Sequence, residues 1–322
     1  MSINVALIIV NYRTADMLID CVSKMLRTID FNTVSICIVD NNSNDGSIAR
    51  FESWLQNHSL TKRISLIASS ENGGFSAGNN IGIKAMSADY YLLLNSDAYI
   101  EQSSIEVLLK AFGRDPQIGL VSPRLQWENG TPQESTFNFF HPITEFVQQS
   151  KTGIFSSLFK KFVVAEPVCD DARYVQWASF ACIMISAECL EEVGLLDEGY
   201  FMYFEDVEYC YRAQKLNYRV FHEPLAHAVH LRGGSSSVKA NIAKRKRLPK
   251  YFYQSRTRFY YQKYGLLGLL SANVFWYLGR GVSLMRQLTG RKDFAAIEKQ
   301  WKDIWLNFSQ PLGAYSHPEK RK

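Results

Sequence analysis

Val5 to Val10 is an unbroken run of six apolar residues, and similar apolar-rich runs follow at Val34–Asp40, Ile64–Ala68 and Tyr90–Leu94. Runs of this length without alternation suit strands buried on both faces. Between them, Ala15–Ile29, Ser47–Asn57 and Phe75–Met86 place apolar residues at helical spacing. Strands alternating with helices predict an α/β chain with a doubly wound, mostly parallel sheet, whose ligand crevice lies beyond the carboxyl ends of the strands. The polar clusters fall at those ends: Asn11-Tyr12 after the first run, Asp40-Asn41-Asn42-Ser43 after the second and Asn95-Ser96-Asp97 after the fourth.

The pattern loosens from Ile118 to Gln176, and Phe139–Val164 reads as a variable insertion. Trp177–Ser186 predicts a strand, a helix begins near Glu205-Asp206, and Ala226–His230 is another strand. After Lys239 the chain is basic, aromatic and helical. The expected organisation is a catalytic domain over 1–238, in halves of about 1–117 and 118–238, with a helical C-terminal extension over 239–322. Gly265–Leu288 is the one membrane candidate. Arg280 and Arg286 leave an uncharged stretch of about fifteen residues, short of the roughly 20 that a spanning helix needs.

Composition changes this picture in two places. The six cysteines lie in apolar surroundings without a C-x-x-C pair, which points to reduced core thiols and neither a disulfide frame nor a zinc site. With no basic, apolar leader at Met1, the expected compartment is cytoplasmic. The net charge of +5 conceals an asymmetry. From Pro224 to Lys292 there are fourteen Lys and Arg and no Asp or Glu, so the remainder carries −9.

Asn95-Ser96-Asp97 puts a carboxylate at a strand end, where it can hold a hard divalent cation such as Mg²⁺ or Mn²⁺ against phosphate; the same residues also suit an Asx turn. Asp40 can accept the imide N–H of a uracil or thymine base, although Asp40 to Ser47 would equally form a turn and helix cap. Glu71 to Gly82 leads paired glycines into a helix that contains further Gly and Asn, a form that lets backbone approach a diphosphate.

Taken in order, Ile9-Val10-Asn11-Tyr12, Val39-Asp40-Asn41-Asn42-Ser43-Asn44-Asp45-Gly46, Asn72 to Gly82 and Leu93-Leu94-Asn95-Ser96-Asp97 resemble glycosyltransferase family 2. The run Val193 to Arg212, centred on Phe204-Glu205-Asp206, and the segment His230-Leu231-Arg232-Gly233-Gly234-Ser235 extend the resemblance to about residue 265, and its bacterial rhamnosyltransferase-like branch fits best. The resemblance implies a GT-A fold and metal-dependent, inverting transfer of one sugar. It places the nucleotide sugar against Val10, Asn11, Tyr12, Asp40, Asn42, Asn72, Gly74, Phe75, Asn79, Asn95, Ser96 and Arg232. Tyr12 stacks on the base and Asp40 binds its imide. Asp97 matches the metal aspartate of the family's DXD motif, whose first position here is Asn95, and His230 completes the metal site. Asp206, in the Glu205-Asp206 pair, matches the general base.

The resemblance favours dTDP-rhamnose as donor, with a UDP-hexose as the alternative. The acceptor is a glycan on polyprenyl diphosphate in surface polysaccharide synthesis, such as O-antigen or capsule. Phe139–Val164 then falls on the acceptor side. The basic, aromatic tail from Lys244-Arg245-Lys246-Arg247 to Lys263 fits an anionic membrane surface, placing the enzyme peripherally on the inner face of the cytoplasmic membrane. A homodimer face is the second reading of that tail, and nucleic acid is not expected. Three other classes fit less well. A nucleotidyltransferase needs a glycine-rich loop where Asn11-Tyr12-Arg13-Thr14 stands. A processive synthase needs a Gln-x-x-Arg-Trp segment and spanning helices. A non-catalytic binding module has no need of Asp206.

Overall fold

The computed structural model describes residues 3–232, 238–288 and 296–318. Gly233, Gly234 and Ser235 of the motif after His230, and Arg291 and Lys292 of the basic span, lie outside the described residues. The chain forms two compact units, one of Met1–Thr136, Pro167–Glu198 and Asp206–Ser235, the other of Phe137–Glu166, Gly199–Glu205 and Ser236–Lys322. The second unit therefore gathers three separated segments of the chain.

The first unit holds the sheet. In chain order its elements are β1 (Val5–Asn11), α1 (Ala15–Met25), β2 (Val34–Asp40), α2 (Ser47–Asn57), β3 (Ile64–Ala68), α3 (Gly74–Ala85), β4 (Tyr90–Asn95), β5 (Ala98–Ile100), α4 (Gln102–Phe112) and β6 (Ile118–Gln126). After the two-residue β7 (Thr136–Phe137) come β8 (Arg173–Val175), β9 (Trp177–Ala178), β10 (Cys182–Ser186), α7 (Ala187–Val193), α8 (Glu205–Lys215) and β11 (Arg219–His230). The strand order β3-β2-β1-β4-β10-β6-β11-β5 reverses direction after β1, and β8 adds to β11. Strands β1 to β4 pair in parallel. β10 enters antiparallel between β4 and β6.

The apolar runs become strands because both their faces are covered. Leu7, Ile9, Ile36, Ile38, Leu92 and Leu94 pack with Leu18, Val22, Phe51 and Leu108 in one core. On the other face α3 lies so close that a Cβ on Gly82 would stand 2.5 Å from Ile8 Cγ2, and one on Gly78 2.6 Å from Val10 Cγ1. These two helix glycines serve packing. The expected strand Trp177–Ser186 is broken at Ser179–Ala181, where Ser179 N–H donates to Ser135 O and Ala181 N–H to Ser179 Oγ. Five of the six cysteines are buried and all six are free thiols.

The second unit is helical: α5 (Pro142–Ser150), α6 (Gly153–Leu158), α9 (Val238–Ala243), α10 (Lys250–Leu288) and α11 (Gln300–Asp303). Gly265, at φ 68° and ψ −171°, breaks α10 into two runs. The second run meets α5 backbone to backbone, since a Cβ on Gly279 would fall 2.6 Å from Phe146 O. Inside, Arg256 donates to Glu145 at 2.8 Å and to Asn273 Oδ1 at 2.8 Å, and Tyr260 Oη donates to Glu145 at 3.1 Å. Arg247 grips the buried Asp303 through two bonds of 2.7 Å. Tyr251, Tyr253, Phe259, Tyr260 and Trp276 are buried. Much of the basic, aromatic tail thus forms an interior, with cations spent on internal carboxylates.

Candidate active site

Three loops at the carboxyl ends of β1, β2 and β4 build the floor of the site. Asn11 and Asp40 are in register across β1 and β2 and are almost fully buried. Asn11 Nδ2 donates to Asp40 Oδ1 at 2.6 Å and to Ser43 Oγ at 3.1 Å, while Ser43 Oγ and N–H donate to the two Asp40 oxygens. Arg13 donates through N–H to Ser43 Oγ and through Nε to Ser43 O, and its guanidinium lies 4.9 Å over the Tyr12 ring. Thr14 Oγ1 bridges Asn11 Oδ1 and Ser96 Oγ, each at 3.0 Å, which ties the first loop to the third.

The second loop joins the glycine turn through a residue that the motif order did not single out. Asn41, buried, donates from Nδ2 to Asn72 Oδ1 and Gly74 O, and its Oδ1 is buried without a hydrogen-bond partner. Asn72 Oδ1 also takes the N–H of Gly74, whose φ of 82° suits glycine at the start of α3. Asn42 adopts a left-handed backbone at φ 56°. Val10 and Phe75 are half-buried; Asn79 is buried and bonds Phe75 O, one helical turn back. Asn80, also missed, clamps α3 to the 196–198 loop, donating to Leu196 O and Glu198 Oε1 and accepting Leu196 N–H.

Asp97 and His230 converge because β5 and β11 pair antiparallel, setting His230 opposite Ala98. His230 Nε2 stands 3.3 Å from Asp97 Oδ1, both side chains being buried, and Leu231 N–H donates to Asp97 O at 2.8 Å. His230 Nδ1 is buried and has no hydrogen-bond partner. Buried polar atoms are normally satisfied. The imidazole Nε2 and the carboxylate Oδ1, 3.3 Å apart in one buried spot, are donors that fit a Mn²⁺ or Mg²⁺ site. Among the described residues no cluster of three or more His, Cys, Asp or Glu forms a fuller cage. Gln133 Nε2 secures His230 O at 2.7 Å, and its Oε1 bonds Arg232 Nε. Arg232 reaches Glu134 O and lies 5.5 Å over Trp127, a cation set beside the Asp97 strand end.

Asp206 stands at the start of α8 beside Glu205, which is buried. Acids there suit the helix dipole. The Asp206 carboxyl is pushed up to about 6 by burial, against backbone N–H donors at Val207 and Phe180. Phe180 lies in the break between β9 and β10, and its neighbour Ala181 accepts the N–H of Asn95. The break thus connects Asp206 to the Asn95-Ser96-Asp97 end of β4. Arg212, at the other end of the motif, holds Glu208 at 2.6 Å and the carbonyls of Val193 and Leu195, so its role is to fasten that loop. An open groove of about 480 Å³ is built elsewhere, entirely from residues 137–165, and contains none of these side chains.

Residues 6–162 match the family model of glycosyl transferase family 2. The low-salt glycan biosynthesis hexosyltransferase Agl10 of Haloferax volcanii is 27% identical over 231 residues, covering 70% of this chain and 67% of that protein. The N-acetylglucosaminyl-diphospho-decaprenol L-rhamnosyltransferase of Mycobacterium tuberculosis is 24% identical over 219 residues, covering 63% and 68%. Among solved structures, the Pyrobaculum calidifontis mannosyltransferase PcManGT in complex with GDP-Man and Mn²⁺ superposes with a TM-score of 0.58 at 13% identity, over 97% of this chain and 86% of its own. The GT-A fold is therefore the fold of this chain.

Proposed function

We propose that this chain, whose residues 6–162 match the family model of glycosyl transferase family 2, moves a single sugar with inversion from a nucleotide diphosphate sugar to a hydroxyl of a glycan acceptor. dTDP-rhamnose is the donor of choice and a UDP-hexose the second reading. The acceptor is carried on polyprenyl diphosphate at an anionic membrane surface, within bacterial surface polysaccharide synthesis. The observation that carries the reading is the buried pairing of Asp97 with His230 after β4, a strand end tied through the Phe180-Ala181 break to Asp206, a carboxyl whose proton affinity burial has raised.

The roles follow from these environments. Asp40 takes the base imide on Oδ2, to which Ser43 supplies one backbone N–H. Tyr12, backed by Arg13, offers its ring to the base. The turn at Asn72-Gly73-Gly74 and the first residues of α3 face the ribose and diphosphate, with Asn42, Asn79, Asn95 and Ser96 completing the polar lining. Asp97 and His230 would hold Mn²⁺ or Mg²⁺, which supplies Lewis-acid stabilisation of the diphosphate leaving group. Arg232 adds a fixed cation for the same charge. Asp206 accepts the acceptor hydroxyl's proton as that oxygen attacks the anomeric carbon, and a raised proton affinity suits a base working near neutral pH. Glu205, buried beside it at the start of α8, is the second catalytic candidate of the pair. Inversion needs one displacement and no second carboxylate nucleophile.

A lipid-linked acceptor is supported by the mycobacterial relative, an N-acetylglucosaminyl-diphospho-decaprenol L-rhamnosyltransferase. A panel of nucleotide sugars tests the reading through metal-dependent thermal stabilisation and release of the nucleoside diphosphate. Stabilisation and turnover with dTDP-rhamnose is the expected result. Turnover with a UDP-hexose alone moves the donor to the second reading, and no turnover with any donor rejects the enzyme.

A further inference from the structure

The second run of α10 is amphipathic with its faces exchanged. Leu267, Leu270, Val274, Leu278, Met285 and Leu288 recur at spacings of three, four and seven residues, which puts them on one side of a helix. That side is exposed, to 80% at Leu267 and 88% at Leu288. The opposite side, buried against the rest of the unit, carries Asn273, Ser283, Ala272 and Gly279 beside Leu269 and Trp276. The exposed stripe runs about 32 Å at 1.5 Å per residue.

Two neighbours widen it. Tyr277 Oη donates to Trp301 O at 2.6 Å and accepts from Trp305 Nε1 at 3.0 Å, so two exposed indoles stand beside the stripe. At the far end Arg286 donates to Lys151 O at 2.6 Å, two residues before α6, in which Ile154 and Leu158 are exposed to 77% and 70%. Exposed apolar side chains gathered in this number mark an interaction site. Lys151, Lys160 and Lys161 are exposed on the α6 side, and Lys299 and Lys302 on the indole side.

Charge decides what covers it. The second unit carries 21 Lys and Arg against seven Asp and Glu, a net +14, so the first unit carries −9 of the total +5. Two copies meeting through this surface would bring two units of +14 together, whereas an anionic lipid headgroup layer offsets the charge. Amphipathic residues of the Tyr and Trp kind belong at such an interface. No helix among the described residues is long and apolar enough to cross a membrane. We propose that the Leu267–Leu288 stripe of α10, with Ile154 and Leu158 of α6 and the Trp301–Trp305 pair, lies in the plane of an anionic membrane and inserts its apolar side chains below the headgroups. This rests on the membrane-borne acceptor proposed above and places the contact on α10, where the sequence pointed to the polybasic run Lys244–Arg247. Arg247 of that run is bound to Asp303.

Flotation of the full chain with vesicles of phosphatidylcholine alone, or with phosphatidylglycerol added, tests it. The parent floats with the anionic vesicles, and lipids brominated along the acyl chain quench its tryptophan fluorescence. In the doubly substituted Leu267→Glu/Leu278→Glu chain, both exposed positions, vesicle partitioning falls about tenfold or more and the quenching is lost. Its melting temperature and nucleotide-sugar affinity stay at parent values, which separates this result from failure of the transferase reading. Unchanged flotation of the variant overturns the proposal. So does a parent dimer that the variant converts to monomer in sedimentation, since a second copy then covers the stripe.

Discussion

His230 Nε2 lies 3.3 Å from Asp97 Oδ1, although 132 residues of chain separate them, because the short β5 pairs antiparallel with the end of β11. The pair has one carboxylate where the family's DXD motif has two, since Asn95 occupies the first position. Phosphate oxygens of the donor would therefore be needed beside Asp97 and His230 to hold a cation, and cation and nucleotide should bind cooperatively.

That cooperativity is measurable. Titration of a nucleoside diphosphate should be strengthened by Mn²⁺ or Mg²⁺ in the parent, and chelation should stop turnover until the cation is restored. Asp97→Ala should abolish the metal effect on nucleotide binding, and His230→Ala should reduce it. Full turnover in excess chelator would reject the metal-assisted mechanism.

The pH profile should report Asp206. Its carboxyl is raised to about 6 by burial, and only the ionised form accepts a proton. kcat/KM should therefore climb with pH below about 6, tenfold per unit, and level off above it. A profile flat between pH 5 and 8 contradicts the assignment of base.

The network under α10 makes a stability prediction. Glu145 and Arg256 are both buried, at 9% and 5% side-chain exposure. Glu145→Ala leaves the Arg256 cation without its carboxylate and should cost about 3–5 kcal/mol in denaturant unfolding. Gly82→Ala should cost about 1–3 kcal/mol, because the new Cβ must displace Ile8 or the helix itself.

The strand and helix pattern of the first hundred residues was legible because burial on both sheet faces leaves long apolar runs and α1 to α3 keep a helical period. The direction of β10 was not, since a buried antiparallel strand has the same composition as a parallel one. The break at Ser179–Ala181 was hidden for a similar reason, since Phe180 and Ala181 continue the apolar run and Ser179 is small enough not to interrupt it. Asn41 and Asn80 were passed over because an asparagine's value lies in which carbonyl it reaches across the fold. The period of the second run of α10 was visible, but a sequence gives the spacing of an apolar face without saying whether protein covers it. Trp276 went inward while Tyr277 and Leu278 went outward.

The account turns on Asp206 acting on the acceptor and not on the donor. Asp206→Asn keeps the side chain's shape and removes its basicity, so transfer should fall about 10²-fold or more while the affinity for nucleotide sugar, measured by calorimetry, stays within the parent's range. Parent-level turnover in that variant, or lost donor binding, contradicts the account.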